Sequence, residues 1–251
     1  VDFTDKRILV TGATRGIGLA AAQAFLAAGA AVAVNGRTAK SVARARDALG
    51  HERSVAAPGD IGSVAGCRAV AEAAAAGLGG LDVLVNNAGV GWDAAVEDSD
   101  EALWNRTLDV NLRGTFFCTK FALPALRAAR GNVVNVASVS GLIGHPDGQS
   151  VYCASKGGVV NLTRALALEL APEVRVNCLC PGPIDTDMHA EAARASGDVD
   201  GYYAAVNAWV PVGRMGTAEE MAKAILYLAS GDAAFANGAI LTLDGGGAAG
   251  H

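Results

Sequence analysis

Aromatic residues make up only 5% of the 251 positions, Pro occurs 7 times and Met 3 times. No uncharged apolar run reaches the roughly 18 residues a membrane-spanning helix needs, which excludes an ordinary helical span. Basic residues are also in deficit: 20 Lys and Arg against 25 Asp and Glu give a net charge of −5. No Lys/Arg run exceeds two residues, so nothing coats a phosphate backbone and nucleic acid is not an expected partner. The cysteines are Cys67, Cys118, Cys153, Cys178 and Cys180, without a CxxC pair or Cys/His spacing suited to a metal. They read as reduced core thiols, and no metal centre is expected. Asp2, Asp5, Lys6, Arg7 and Arg15 interrupt the first fifteen residues, which fits neither a signal h-region nor a transit peptide. The expected location is the cytoplasm.

What is present is globular: 51% hydrophobic, 18% charged, and 32 glycines, nearly twice the usual share of about 7%. Short β-branched runs alternate with longer Ala/Leu-rich stretches. Strands are predicted at Arg7–Val10, Ala31–Asn35, Val83–Asn86, Val133–Ala137, Val174–Cys178 and Ala239–Leu243. Helices are predicted at Gly16–Ala28, 39–49, 63–76, 100–123, 153–171 and 217–229, the last opened by the Thr217/Glu220 capping box. Strands apolar on both faces and separated by helices call for a parallel sheet covered on both sides. The expectation is α/β: a single Rossmann-type domain over residues 1–251, a doubly wound parallel seven-stranded sheet with helices on both faces. The stretch 183–213 is the least patterned and is expected to be a long loop with a short helix, serving as a lid over the substrate.

Thr11-Gly12-Ala13-Thr14-Arg15-Gly16-Ile17-Gly18 follows the first strand and opens the first helix. Such glycines let the backbone approach a pyrophosphate, and a helix N-terminus offers free N–H groups to it. Further along, Asn86-Asn87-Ala88-Gly89 follows a strand, Asn111 lies in Val-Asn-Leu-x-Gly, and Ser138 opens S-x-x-G. Tyr152-Cys153-Ala154-Ser155-Lys156 gives Y-x-x-x-K, and Pro181-Gly182 with Thr186 follows a later strand. Tyr152 and Lys156 at i and i+4 share one helix face. A phenol has an ordinary pKa of about 10, and a nearby ammonium favours its phenolate.

The G-x-x-x-G-x-G spacing and the order of these motifs across residues 6–246 resemble the short-chain dehydrogenase/reductase family, in its shorter single-domain branch. The resemblance implies a catalytic set of Asn111, Ser138, Tyr152 and Lys156. Tyr152 is the general acid/base, Ser138 bonds the reacting oxygen, and Asn111 holds a water that links Lys156 to solvent. It implies cofactor contacts from Gly12, Thr14, Arg15, Gly16, Ile17, Gly18, Arg37, Asp60, Ile61, Asn87, Ala88, Gly89, Tyr152, Lys156, Pro181, Gly182, Ile184 and Thr186. Asp60 and Ile61 belong at the adenine, and Ile184 and Thr186 at the nicotinamide carboxamide. Ser140 competes with Ser138 and is expected to cap the loop instead. The Ser138–Tyr152 spacing is one residue longer than the family's usual one, with the loop Gly144–Ser150 absorbing it.

The end of the second strand bears on the choice of cofactor. A carboxylate there binds the ribose diol and repels a 2′-phosphate. This chain has Gly36 followed by Arg37, with Arg15 in the glycine loop. Two guanidinium groups suit a phosphate clamp, against the reading of two solvated arginines. NADP(H) is expected over NAD(H), with carbonyl reduction as the physiological direction.

The substrate is expected to be a small-molecule carbonyl or alcohol. Carrier-bound substrates stay open, although Ala129 and Glu173 stand where a basic docking surface would be sought, with only Arg127 and Arg130 near. His145, His189, Trp92, Trp209 and Met188 lie in segments bordering the pocket. The histidines read as solvated, and the tryptophans as pocket or core. The alternatives are an NAD-dependent alcohol, hydroxysteroid or polyol dehydrogenase and a dinucleotide sensor without turnover. An epimerase or dehydratase would call for a longer chain. The family further implies a homotetramer, for which the Ala-rich helix faces are suited.

Overall fold

The computed structural model describes residues 1–91, 94–145 and 148–250. A parallel sheet runs β3–β2–β1–β4–β5–β6–β9. Its strands are β1 (Arg7–Val10), β2 (Ala31–Gly36), β3 (Ser54–Pro58), β4 (Val83–Asn86), β5 (Asn132–Val136), β6 (Arg175–Pro181) and β9 (Ile240–Leu243). The main helices are α1 (Gly16–Ala27), α2 (Ala39–Leu49), α3 (Val64–Leu78), α4 (Glu101–Leu108), α5 (Gly114–Ala129), α6 (Ser150–Leu170) and α9 (Ala218–Ala229).

Side-chain alternation along the strands sends Ile8 and Val10 to one face and Leu9 to the other. The first face packs with Phe25 of α1, Val42 of α2, and Met221 and Ile225 of α9. The second packs with Cys67 and Val70 of α3, Leu126 of α5 and Leu166 of α6. The doubly wound seven-stranded expectation is thus the observed fold.

Several boundaries differ. The seventh strand, for which no position was predicted, is Ser54–Pro58, an Ala/Pro-rich edge strand with little β-branched signal. The expected helix 100–123 is broken: α4 gives way to a wide π turn at Asp109–Arg113 before α5 begins. That turn brings Asn111 inward, where it is buried. At its other end α5 runs through Pro124, and it stops at Arg130, whose φ is +50°.

The stretch 183–213, expected to be a loop with a short helix, instead carries two helices, α7 (Asp187–Ser196) and α8 (Val199–Trp209). Gly197 at φ +77° terminates the first, and the Asp198 carboxylate caps the second through Gly201 N–H at 3.0 Å. A short parallel pair, β7 (Ile184–Asp185) with β8 (Gly216–Thr217), joins the two ends of this stretch. The Thr217/Glu220 capping box forms as anticipated.

Candidate active site

The strand carboxyl ends meet where the sheet order reverses, between β1 and β4, which is where open α/β sheets bind ligands. The loop after β1 turns with Gly12 at φ +63° and Gly16 at φ +54°. A Cβ at Gly12 would lie 2.8 Å from the Ala88 Cα, so glycine there permits close approach of the loop to β4's extension. Helix α1 then starts with Arg15 as an N-cap that supplies no side-chain bond and with no acidic residue in the first turn. Its N–H groups and positive end are left for an anion. These features fit the pyrophosphate of a nicotinamide dinucleotide.

Two residues outside the expected set brace this cradle, and a third, Ser155, lies elsewhere in the site. Thr11 Oγ1 accepts from the N–H groups of Asn87 (3.0 Å) and Ala88 (3.1 Å). Asn35, buried at the end of β2, accepts from Gly12 N–H at 3.2 Å and donates to Ala57 and Gly59 carbonyls at 2.9 and 3.2 Å. Ser155, also buried, is described below. Only the motif position of Thr11 and the polar interruption of a β-branched run at Asn35 could have flagged them. Asn87 Nδ2 ties back to Thr11 and Gly12 carbonyls at 3.0 and 3.3 Å. Asp60 accepts from Gly62 N–H at 2.9 Å, and Ile61 is buried beside it.

Three of the four residues expected to be catalytic, Asn111, Tyr152 and Lys156, are brought together. Helix α6 begins at Ser150, earlier than the expected residue 153, so both Tyr152 and Lys156 lie within it. The Lys156 ammonium is 5.7 Å from the Tyr152 ring centroid and donates to the Val136 carbonyl at 3.0 Å. A Cβ at Gly89 would come within 3.2 Å of Lys156 Nζ and 3.5 Å of Asn111 Oδ1, which places lysine, asparagine and the Asn-Asn-Ala-Gly turn together. Burial pushes the Lys156 pKa down to about 8. Asn111 Oδ1 accepts from Val90 N–H at 2.8 Å, while its amide donates to the Val90 carbonyl and the Ser155 hydroxyl, both at 2.9 Å.

Ser138 is buried at the end of β5, and its Oγ accepts from Ser140 N–H at 3.1 Å. The loop-capping expectation for Ser140 is therefore corrected: Ser138 caps the turn and Ser140 is capped. With its oxygen accepting, the Ser138 hydroxyl keeps its proton for donation.

On the far side, Gly182 N–H bonds the Leu243 carbonyl at 3.1 Å, which holds the Pro181-Gly182 turn against the C-terminal segment. Ile184 is buried. Thr186 overhangs the glycine loop, its Cγ2 within 3.4 Å of where a Gly16 Cβ would be. Arg15 and Arg37 differ in state. Arg15 bonds Glu191 of α7 at 2.6 Å and lies 3.9 Å from Asp187, whereas Arg37 is exposed and makes no ion pair among the described residues.

Of the pocket-border residues, Met188 comes within 4.0 Å of where a Gly91 Cβ would be, and the Tyr152 ring within 3.5 Å of the same point. His189 is not simply solvated: it is partly buried on α7, shares a 2.7 Å hydrogen bond with the Tyr202 hydroxyl, and its pKa is lowered by burial. His145 packs against Trp209 at 6.0 Å between ring centroids. Trp92 and Pro146 lie outside the described residues.

A family model described as enoyl-(acyl carrier protein) reductase matches residues 12–247. The chain belongs to the short-chain dehydrogenase/reductase family. It is 39% identical to meso-2,3-butanediol dehydrogenase of Serratia marcescens over 245 residues, covering 97% of this chain and 95% of that one. Against a 3-oxoacyl-[acyl-carrier-protein] reductase of Chlamydia muridarum the identity is 37%, covering 97% and 98%. A crystal structure of a putative short-chain alcohol dehydrogenase from Sinorhizobium meliloti superposes with a TM-score of 0.91 at 38% identity, covering 99% and 98% of the two chains. The protein is accordingly a nicotinamide-dinucleotide oxidoreductase of the CH–OH class. Among the described residues no helix is long and apolar enough to cross a membrane.

Proposed function

We propose that the protein is an NADP(H)-dependent ketoreductase that interconverts a small-molecule carbonyl and a secondary alcohol, with Tyr152 as the general acid/base. The observation that carries this reading is the buried Lys156 ammonium beside the Tyr152 ring, beneath Gly89 and Asn111. The bound nicotinamide supplies or accepts the hydride. In reduction the Tyr152 hydroxyl gives its proton to the carbonyl oxygen, and in oxidation it takes the proton back. Ser138 donates to the same oxygen. Lys156, mostly cationic at neutral pH with a pKa of about 8, favours loss of the tyrosine proton. Asn111, committed to Val90 and Ser155, fixes the wall along which Lys156 exchanges protons with solvent.

The preference for the phosphorylated cofactor is supported by Gly36 and Arg37. A Cβ at Gly36 would run into Thr14 Cγ2 and come within 3.1 Å of Ser41 Oγ, so a ribose-binding carboxylate has no room there. Arg37 stands exposed beside it, ready for a 2′-phosphate. Pyrophosphate contacts are assigned to Gly12, Thr14, Gly16, Ile17 and Gly18, adenosine contacts to Asp60, Ile61, Asn87, Ala88 and Gly89, and nicotinamide contacts to Pro181, Gly182, Ile184 and Thr186. Relatives named for butanediol and for trans-4-hydroxycyclohexanecarboxylate support a free small ketone as substrate. Exposed Phe116 on α5 and Leu168 on α6 support a homotetramer.

The test is to follow oxidation of NADPH and NADH over a panel of small cyclic and acyclic ketones, with Tyr152→Phe alongside. NADPH is expected to be preferred, and Tyr152→Phe to lose about 100- to 10,000-fold in rate while still binding nucleotide. Preference for NADH, or a rate indifferent to Tyr152, overturns the reading.

A further inference from the structure

The carboxylates of α7 have no role in the reading above, yet they hold one of its two arginines. Asp187 and Glu191 are four residues apart on α7 and so share one face. Both point to Arg15 in the glycine loop, at 3.9 and 2.6 Å from Nη1. The same end of α7 rests on the loop through Thr186 and Gly16. Arg37, the other half of the expected clamp, is exposed and unengaged by any ion pair among the described residues. Arg15 holds Glu191 through a single Nη1 hydrogen bond at 2.6 Å, and a guanidinium swung to form a fork on a phosphate beside Arg37 gives that contact up.

We propose that Glu191 and Asp187 are cofactor-specificity determinants that compete with a 2′-phosphate for Arg15. Without that phosphate, Arg15 ties α7 to the glycine loop. A nucleotide carrying the phosphate draws Arg15 to Arg37 and releases α7 to adjust over the substrate. A nucleotide without it leaves the tie in place. The phosphorylated cofactor therefore meets a cost that the unphosphorylated one does not. This inference rests on the phosphate-clamp reading, and the experiment separates the two.

Equilibrium titration with NADPH and with NADH would be made on the full chain and on Glu191→Asp, Glu191→Gln and Arg37→Ala. Glu191→Asp keeps the charge but withdraws the carboxylate by one methylene, breaking the contact without relieving long-range repulsion. It is expected to tighten NADPH by about two- to five-fold, the scale of an exposed ion pair, and to leave NADH unchanged. Glu191→Gln should tighten NADPH further, because it also removes a negative charge near the phosphate. Tightening in Glu191→Gln alone would mean simple repulsion and overturn the competition. No change in either variant, with Arg37→Ala still weakening NADPH, overturns it as well while leaving the clamp intact. If Arg37→Ala leaves NADPH binding unaltered, the clamp falls and the competition with it.

Discussion

Ser155 stands between Asn111 and Tyr152. Its hydroxyl accepts from the Asn111 amide at 2.9 Å and donates to the Tyr152 carbonyl at 2.8 Å. One small buried side chain thus joins the π turn at 109–113 to the first turns of α6. Ser155→Ala leaves a buried Asn111 N–H without a partner, which costs about 1–3 kcal/mol. Urea unfolding should show that loss, with turnover falling more than NADPH affinity, because the catalytic wall loosens while the nucleotide cradle is held elsewhere. A variant as stable as the parent would remove Ser155 from this role.

Lys156 makes stability depend on pH in a definite direction. Its native pKa of about 8 lies below the ordinary 10.5 because burial opposes the charge. Between those values the unfolded chain keeps a proton that the native state has lost, so this group's contribution to stability rises with pH across that window. The cost of burying the cation is fully present below about pH 8. Lys156→Met should therefore melt higher than the parent at neutral pH, and the gap should shrink toward the top of the window, while turnover is lost. A gap that does not change with pH would count against the depressed pKa.

These two residues also mark what a sequence discloses. Tyr152 and Lys156 were legible through the Y-x-x-x-K motif in its place among the other motifs of the family, and the sheet because its β-branched runs are apolar on both sides. Asn111 was legible by motif, but the π turn that carries it inward was not, since 100–123 reads as uninterrupted helix. Ser155 was missed because a small polar residue inside a helix has no periodic signature, and Asn35 because a polar break in a β-branched run gains its meaning only from its tertiary partners. The stretch 183–213 misled for a related reason. Its glycines looked like loop, whereas Gly197 ends one helix and Gly201 sits in the first turn of the next.

Met188 and the Tyr152 ring approach the same point beside Gly91. Met188→Ala should open space beside the Tyr152 ring. The kcat/KM for a branched ketone should rise relative to its unbranched counterpart, by about tenfold if the added methylene group falls in that gap. An unchanged ratio across a homologous ketone series would place the substrate on another side of Tyr152.

Gly36 offers the most direct attempt to change cofactor, and the structure says why the single substitution is expected to fail. A Cβ there would meet Thr14 Cγ2 first and then Ser41 Oγ and Val42 Cγ2 at 3.1 and 3.2 Å. Gly36→Asp alone should therefore overpack the junction between the glycine loop and α2, at a cost of about 1–3 kcal/mol, and weaken both nucleotides. Thr14→Ala removes the methyl group that stands in the way. Gly36→Asp combined with Thr14→Ala should recover most of the lost stability and favour NADH, since the carboxylate can then reach a ribose diol and repel a 2′-phosphate. The comparison needs thermal melts and titrations with both nucleotides on the two single variants and the double. Non-additive recovery identifies Thr14 as the obstacle. If Gly36→Asp alone folds as well as the parent and binds NADH tightly, the steric account of this position is wrong.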